Sequence, residues 1–115
     1  SSWIKDRGQV NTTVKNWFLV DFTRDKKPLN KKVLWGIVVL DQKGRWLPGD
    51  WCCTSLVLEE RTASAGPIFV TQNSVYKAVG EGNRLKAPAS ALKLLRSGYS
   101  PDQWETITAL QTRGL

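Results

Sequence analysis

The chain has 115 residues, 41% apolar and 23% charged, with no histidine and a formal net charge of +7. That length suits one domain with a real hydrophobic core, and the apolar content excludes extensive disorder. The missing histidine removes the usual general base, the usual nucleophile activator and the commonest metal ligand, while the positive charge favours polyanions as partners: nucleic acid, anionic lipid or an acidic protein surface.

Residues 1–13 are polar and aperiodic and read as an irregular lead-in, with Trp3 and Ile4 as its candidate anchor. The chain starts Ser1-Ser2, as a trimmed chain does. No charged segment leads into an apolar one, so no signal peptide is expected in this stretch. Residues 14–22 alternate: Val14, Phe18, Val20 and Phe22 share one parity, Lys15 and Asp21 the other. A half-buried strand is predicted, with Trp17 and Leu19 on its more polar face.

Residues 24–32 hold five basic residues, Arg24, Lys26, Lys27, Lys31 and Lys32, and one acidic residue. Pro28 and Asn30 mark this run as a loop or turn, and a flexible loop with five positive charges beside a sheet can contact phosphates. Residues 33–41 are apolar on both parities, as expected of a strand covered on both faces in mid-sheet. Gly36 within it suggests a bulge or a close packing partner. Asp41-Gln42-Lys43-Gly44 and Pro48-Gly49-Asp50 are turns on either side of a short strand at 45–47, and 51–58 is the next strand. Residues 59–66 read as an exposed loop, and 67–71 and 74–79 as further strands. Gly80-Glu81-Gly82-Asn83 is a turn rather than a nucleotide fingerprint, and 84–86 is a short last strand.

The period then changes. Residues 87–97 predict a helix with Pro88 at its first position and Gly98 as its stop, and Ala91, Leu92 and Leu95 as the packing face. Ser100-Pro101-Asp102-Gln103 reads as a capping box opening a second helix, with Trp104, Ile107 and Leu110 on its inner face and a Schellman ending at Gly114 and Leu115. The expected fold is therefore one α+β domain over residues 1–115, β-rich at 14–86 and helical at 87–115. Its β part would be a bent antiparallel sheet or small open barrel of about five or six strands, followed by two short C-terminal helices.

No apolar run approaches the ~18 residues of a membrane span. The only cysteines, Cys52 and Cys53, are neighbours and would point to opposite faces of a strand; without histidine they build no ordinary zinc site. A reducing, cytoplasmic setting is expected. No metal and no cofactor is expected. Asp41, Asp50, Glu59 and Glu60 are expected to be turn or solvent-facing residues rather than catalytic carboxyls.

The six tryptophans offer a second kind of contact. Trp35 reads as core, whereas Trp46 and Trp51 flank the Pro48-Gly49-Asp50 turn and are the expected exposed pair. Aromatic rings with basic residues between them can stack single-stranded bases, and Arg45 beside Trp46 fits that pattern. The predicted function is a non-catalytic binding module whose basic loop and exposed Trp hold nucleic acid. Its expected binding residues are Arg24, Lys26, Lys27, Lys31, Lys32, Arg45, Trp46 and Trp51. The alternative is a protein-binding inhibitor or adaptor of phage or mobile-element type that docks on an acidic protein surface. Self-association through an open sheet edge is a third option.

The run Trp35-Gly36, Asp41, Gly44-Arg45-Trp46, Pro48-Gly49-Asp50-Trp51-Cys52 and Thr54-Ser55 resembles a motif in a family of small, uncharacterised domains from bacteria and their phages. The resemblance spans about residues 33 to 80 and rests on turn chemistry. It implies a small cytoplasmic β-rich domain carried on mobile DNA, and it implies no activity and no site residues.

Overall fold

The computed structural model describes residues 10–64 and 66–103. Seven strands form one open sheet: β1 (Thr12–Arg24), β2 (Lys27–Asp41), β3 (Trp51–Cys53), β4 (Val57–Ala63), β5 (Gly66–Thr71), β6 (Val75–Ala78) and β7 (Asn83–Pro88). Helix α1 (Ala91–Arg96) follows, and residues 101–103 open a second helix. The α+β class is as expected. The order is β3-β2-β1-β6-β5-β4, with β7 also on β1. β1 is the hub: it pairs antiparallel with β2, and parallel with β6 along its start and with β7 along its remainder.

β1 does not keep the single parity that its sequence suggests. Lys15 pairs with Ile37 and Phe18 with Trp35, so Asn16 and Trp17 together oppose Gly36. This is a β-bulge, and Asn16 takes the left-handed conformation at φ 49, which Asn tolerates better than most residues. The extra residue reverses the alternation. Before and after the bulge, Val14, Trp17 and Leu19 reach one core with Leu34, Val38, Cys52, Phe69 and Tyr76. Val20 and Phe22, with Phe18 beside them, reach a second core on the other face with Val33, Trp35, Ala87 and α1 residues Ala91 and Leu95. Trp17, expected on a polar face, is instead buried. It packs 5.4 Å from Phe69 and donates from Nε1 to the Gly80 carbonyl at 3.2 Å. The sheet bends around the first core without closing: Val57 of β4 packs against it, and Glu60 of β4 reaches Arg84 of β7.

Of the loop or turn expected at residues 24–32, the structure forms the turn. Asp25 and Lys26 alone make the connection, at φ 52 and 64, with Arg24 paired to Lys27 and Thr23 to Pro28. Two successive positive φ values are the signature of a tight hairpin turn whose twist suits its strands. Pro28 fits in β2 because that stretch pairs on one side only. The β1–β2 register slips at two further places: Val39 is the extra residue between the Thr13 and Val14 pairs, and Leu29, Asn30 and Lys31 oppose Phe22 alone.

Other elements shift for local reasons. No strand forms at 45–47, where the chain makes bends instead. The predicted 51–58 strand splits at Thr54, whose Oγ1 accepts from Leu34 N at 3.0 Å and donates to the Ser55 carbonyl at 2.7 Å. The predicted loop 59–66 is mostly strand, since β4 and β5 pair from Val57 to Gly66. Pro88 ends β7, opposite Thr23, and does not begin a helix. α1 is therefore shorter than predicted, and Gly98 at φ 106 stops it. The capping box forms: Ser100 N donates to Gln103 Oε1 at 2.9 Å, and Gln103 N to Ser100 Oγ at 3.3 Å. The predicted lead-in anchor, Trp104, the rest of the second helix and its Schellman ending lie outside the described residues.

Gly82 is the position that tolerates least. A Cβ there would sit 2.0 Å from the Trp17 indole, whereas nothing lies within 4 Å of one at Gly44. Gly82→Ala should lower stability by about 1–3 kcal/mol through overpacking. Gly44→Ala, at φ 71 in open space, should cost only about 1 kcal/mol of backbone strain. Thermal unfolding followed by Trp fluorescence ranks the two.

Candidate nucleic-acid interface

The predicted contact residues fall into two groups at opposite parts of β2. The first surrounds Asp41, the last residue of β2. Its side chain is wholly shielded from solvent. Oδ1 accepts from Thr12 Oγ1 at 2.8 Å and from Lys43 N at 3.2 Å. Oδ2 accepts from Arg45 N at 2.7 Å and from Trp46 N at 3.2 Å. The Arg45 guanidinium closes the knot: Nε lies 3.4 Å from Oδ2, Nη2 donates to Thr12 Oγ1 at 2.9 Å, and Nη1 to Ser74 Oγ at 3.0 Å. It also stacks 4.3 Å over the Trp46 ring and faces Tyr76 at 5.8 Å.

Asp41 opens a turn as expected, with Gly44 N donating to its carbonyl, but it is no solvent-facing residue: it is the buried acceptor that ties the 42–46 turn to β1 and, through Arg45, to the β5–β6 turn. Burial alone would raise its carboxyl. Hydrogen bonds from Thr12, from the Arg45 side chain and from the backbone N–H groups of Arg45 and Lys43 outweigh burial and hold it at about 2, against 3.8. The following turn is tied as firmly: Val38 N donates to the Asp50 carbonyl and Gly49 N to the Val38 carbonyl, each at 2.7 Å. The Asp-x-x-Gly-Arg-Trp and Pro-Gly-Asp-Trp segments thus form one loop clamped onto the end of β2. Arg45 and half-buried Trp46 are parts of that clamp.

Trp51 is 38% exposed, and its ring lies against Gly98 after α1. With Trp46, Asp50, Cys53 and Arg96 it lines a groove of about 450 Å³. The two thiols beside it do point to opposite faces, Cys52 into the first core and Cys53 toward the second. Burial pushes Cys52 up to about 12. It also pushes Cys53 up to about 11, partly offset by Arg96. Neither is a thiolate at neutral pH, so neither is a ready nucleophile. Among the described residues no group of three or more His, Cys, Asp or Glu could hold a metal ion.

The second group is the far end of the β1–β2 hairpin. Arg24, Lys26, Lys27 and Lys31 are exposed, and Lys32 is half-buried. None of the ion pairs among the described residues involves any of these five. Two further cations join them from β7, which sequence reasoning left out: Lys86 pairs in register with Asp21, whose other neighbour is Lys32, and Arg84 lies one row along beside Leu19. Arg84 is bound to Glu60, and that hydrogen bond is the main cause that lowers the Glu60 carboxyl. The missing signal was the parallel β1–β7 pairing, which no local pattern announces. Trp51 pairs with Ile37, ten residues along β2 from Lys27, or roughly 30 Å at strand rise. The hairpin cations and the tryptophans therefore do not share one contact point, and of the predicted basic residues Arg45 is the one that stacks on a predicted ring, Trp46.

The chain belongs to the family described as Domain of unknown function (DUF6957), whose model matches residues 5–93. That span takes in the whole sheet and the clamped loop, and it is wider than the stretch on which the small-domain resemblance rested. No curated protein and no solved structure matches the chain.

The Asp41 carboxyl has a lower folded than unfolded value, so the unfolded chain takes up the proton first on acidification. The stability it contributes, about 2 kcal/mol, is complete above about pH 4 and is lost as the pH falls toward 2. Urea titrations from about pH 5 to about pH 2 should show that loss in the native chain. Asp41→Asn should be destabilised by about 3 kcal/mol near neutrality and lack this contribution at low pH.

Proposed function

We propose that the domain is a non-catalytic nucleic-acid binding module whose contact surface is the basic end of the sheet. Supporting this is one observation above the rest: the two-residue turn holds Arg24, Lys26, Lys27 and Lys31 exposed at the end of the β1–β2 hairpin, with Lys32 and Lys86 in register behind it where β7 pairs with β1 as far as Thr23. Lysines and arginines exposed at the end of a sheet can exchange bound counterions for phosphates. The rigid hairpin improves on a flexible loop, because its cations need not be ordered on binding. Arg45, Trp46 and Trp51 serve the fold in this proposal. We further propose a cytoplasmic setting and an origin in bacteria or their phages; the two free cysteines suit a reducing compartment, and among the described residues no helix is long and apolar enough to cross a membrane.

A second proposal, docking on an acidic protein surface, is favoured by Leu47 and Leu58, which are 73% and 68% exposed. Salt titrations distinguish the two. Anisotropy of labelled mixed-sequence oligonucleotides should give an affinity that falls log-linearly with salt. The combined variant Arg24→Ala, Lys26→Ala, Lys27→Ala, Lys31→Ala should bind at least about tenfold more weakly with a flatter salt slope. Arg45→Ala should lose stability and keep its affinity. Absent or salt-insensitive binding would overturn the nucleic-acid proposal and turn the search to proteins.

A further inference from the structure

The basic end of the sheet spans three strands. Arg24 of β1 and Lys27 of β2 are directly opposed across the turn, Lys26 lies in the turn, and Lys31 is exposed further along β2. Three residues back along β1, Lys32 of β2 and Lys86 of β7 stand on either side of Asp21. The main chains of these two lysines are two strand spacings, about 10 Å, apart, and the Arg24–Lys27 pair lies about 10 Å further along at strand rise. With the Arg84–Glu60 pair set aside, these six cations meet two acids, Asp21 and Asp25. The array therefore carries an excess of positive charge, extends across the sheet as well as along it, and is held at fixed spacing by strand register.

A fixed array in two dimensions matches anionic charge that is itself fixed and lies in two lines. A duplex has that form: two phosphate lines separated, in DNA, by grooves about 6 and 12 Å wide, with one charge per about 1.7 Å of axis. A single strand offers one flexible line of phosphates, which must be ordered to lie on a rigid surface. Proteins that hold single strands offset that cost by stacking bases on aromatic rings, each worth roughly five- to 150-fold in affinity. The basic end has no such ring. Residues 23–32 and 83–88 contain no aromatic residue, and the neighbouring Phe18 and Phe22 of β1 pack into the second core.

We propose that the basic end binds double-stranded nucleic acid in preference to single strands, its cations meeting phosphates of both strands with no base stacked on the protein. This rests on the nucleic-acid function above and names its substrate class. The shared chemistry is the paired phosphate lines of a DNA or an RNA duplex.

Anisotropy at one fixed salt concentration tests it with short ligands of one mixed sequence: DNA and RNA single strands, the DNA and RNA duplexes, and the DNA strand with stable abasic sugars throughout. The native chain should bind a duplex at least about tenfold more tightly than its single strand, a factor within the worth of one stacked base. The series that shows this, DNA, RNA or both, names the source. The abasic strand should bind like the ordinary single strand, since no base is held. The combined variant Arg24→Ala, Lys26→Ala, Lys27→Ala, Lys31→Ala should bring duplex and single strand to similar, weak affinities. Single strands bound as tightly as both duplexes, with salt dependence, would overturn this inference and leave the broader function standing. An abasic strand bound several-fold more weakly than the ordinary strand, or a duplex preference that survives in the four-alanine variant, would overturn it as well. Binding of none of the ligands would overturn both.

Discussion

The bulge at Asn16 and Trp17 sets which core each part of β1 serves, and the two-faced sheet depends on it. A regular strand of this sequence would send Val14, Phe18, Val20 and Phe22 to one side and leave Trp17 and Leu19 on the other with Lys15 and Asp21. One extra residue opposite Gly36 moves Val14 onto the side of Trp17 and Leu19. Both faces of β1 are then apolar over most of its length. One is covered by the bent-over β4–β6 arm and the other by α1. Gly36 is part of the device: a Cβ there would lie 3.0 Å from that of Val14, so the opposing strand yields space where the bulge needs it. Asp21 belongs to the same rephased face. It therefore stands in line with Leu19 and Trp17, between two lysines, rather than in open solvent.

The Asp41 knot closes the other end of the same strands. A buried carboxyl with both oxygens accepting hydrogen bonds fixes the beginning of β1, the end of β2 and the β5–β6 turn at one point. This accounts for the spacing of Asp41, Gly44, Arg45 and Trp46. The side chains that look most like a binding motif in sequence, a basic residue next to an exposed ring, are instead its internal ties. The opposite end carries the exposed cations of the hairpin, which enter none of the ion pairs among the described residues.

Much of this was legible in the residues. The β-then-α order, the mid-sheet strand at 33–41, the turns at Gly44 and Gly49 and the capping box at Ser100 all follow from local chemistry, and local chemistry is what a sequence displays. The hairpin at Asp25 and Lys26 was not legible, because neither residue is the glycine that such a turn favours, and Pro28 shortly after argues for a loop. The buried role of Asp41 was hidden, since Thr12, and Ser74 through Arg45, come to it only in the fold. Lys86 joins the basic end through a parallel pairing between segments far apart in the chain, and nothing in either segment alone points to the other.

The most direct test is an amide NMR titration of the native chain with a short mixed-sequence DNA duplex, read residue by residue. Binding at the basic end of the sheet predicts shifts concentrated at residues 24–32 and 84–86, with the indole signals of Trp46 and Trp51 unmoved. Shifts centred on Trp46, Trp51 and Arg96, or no shifts at low salt, would contradict it.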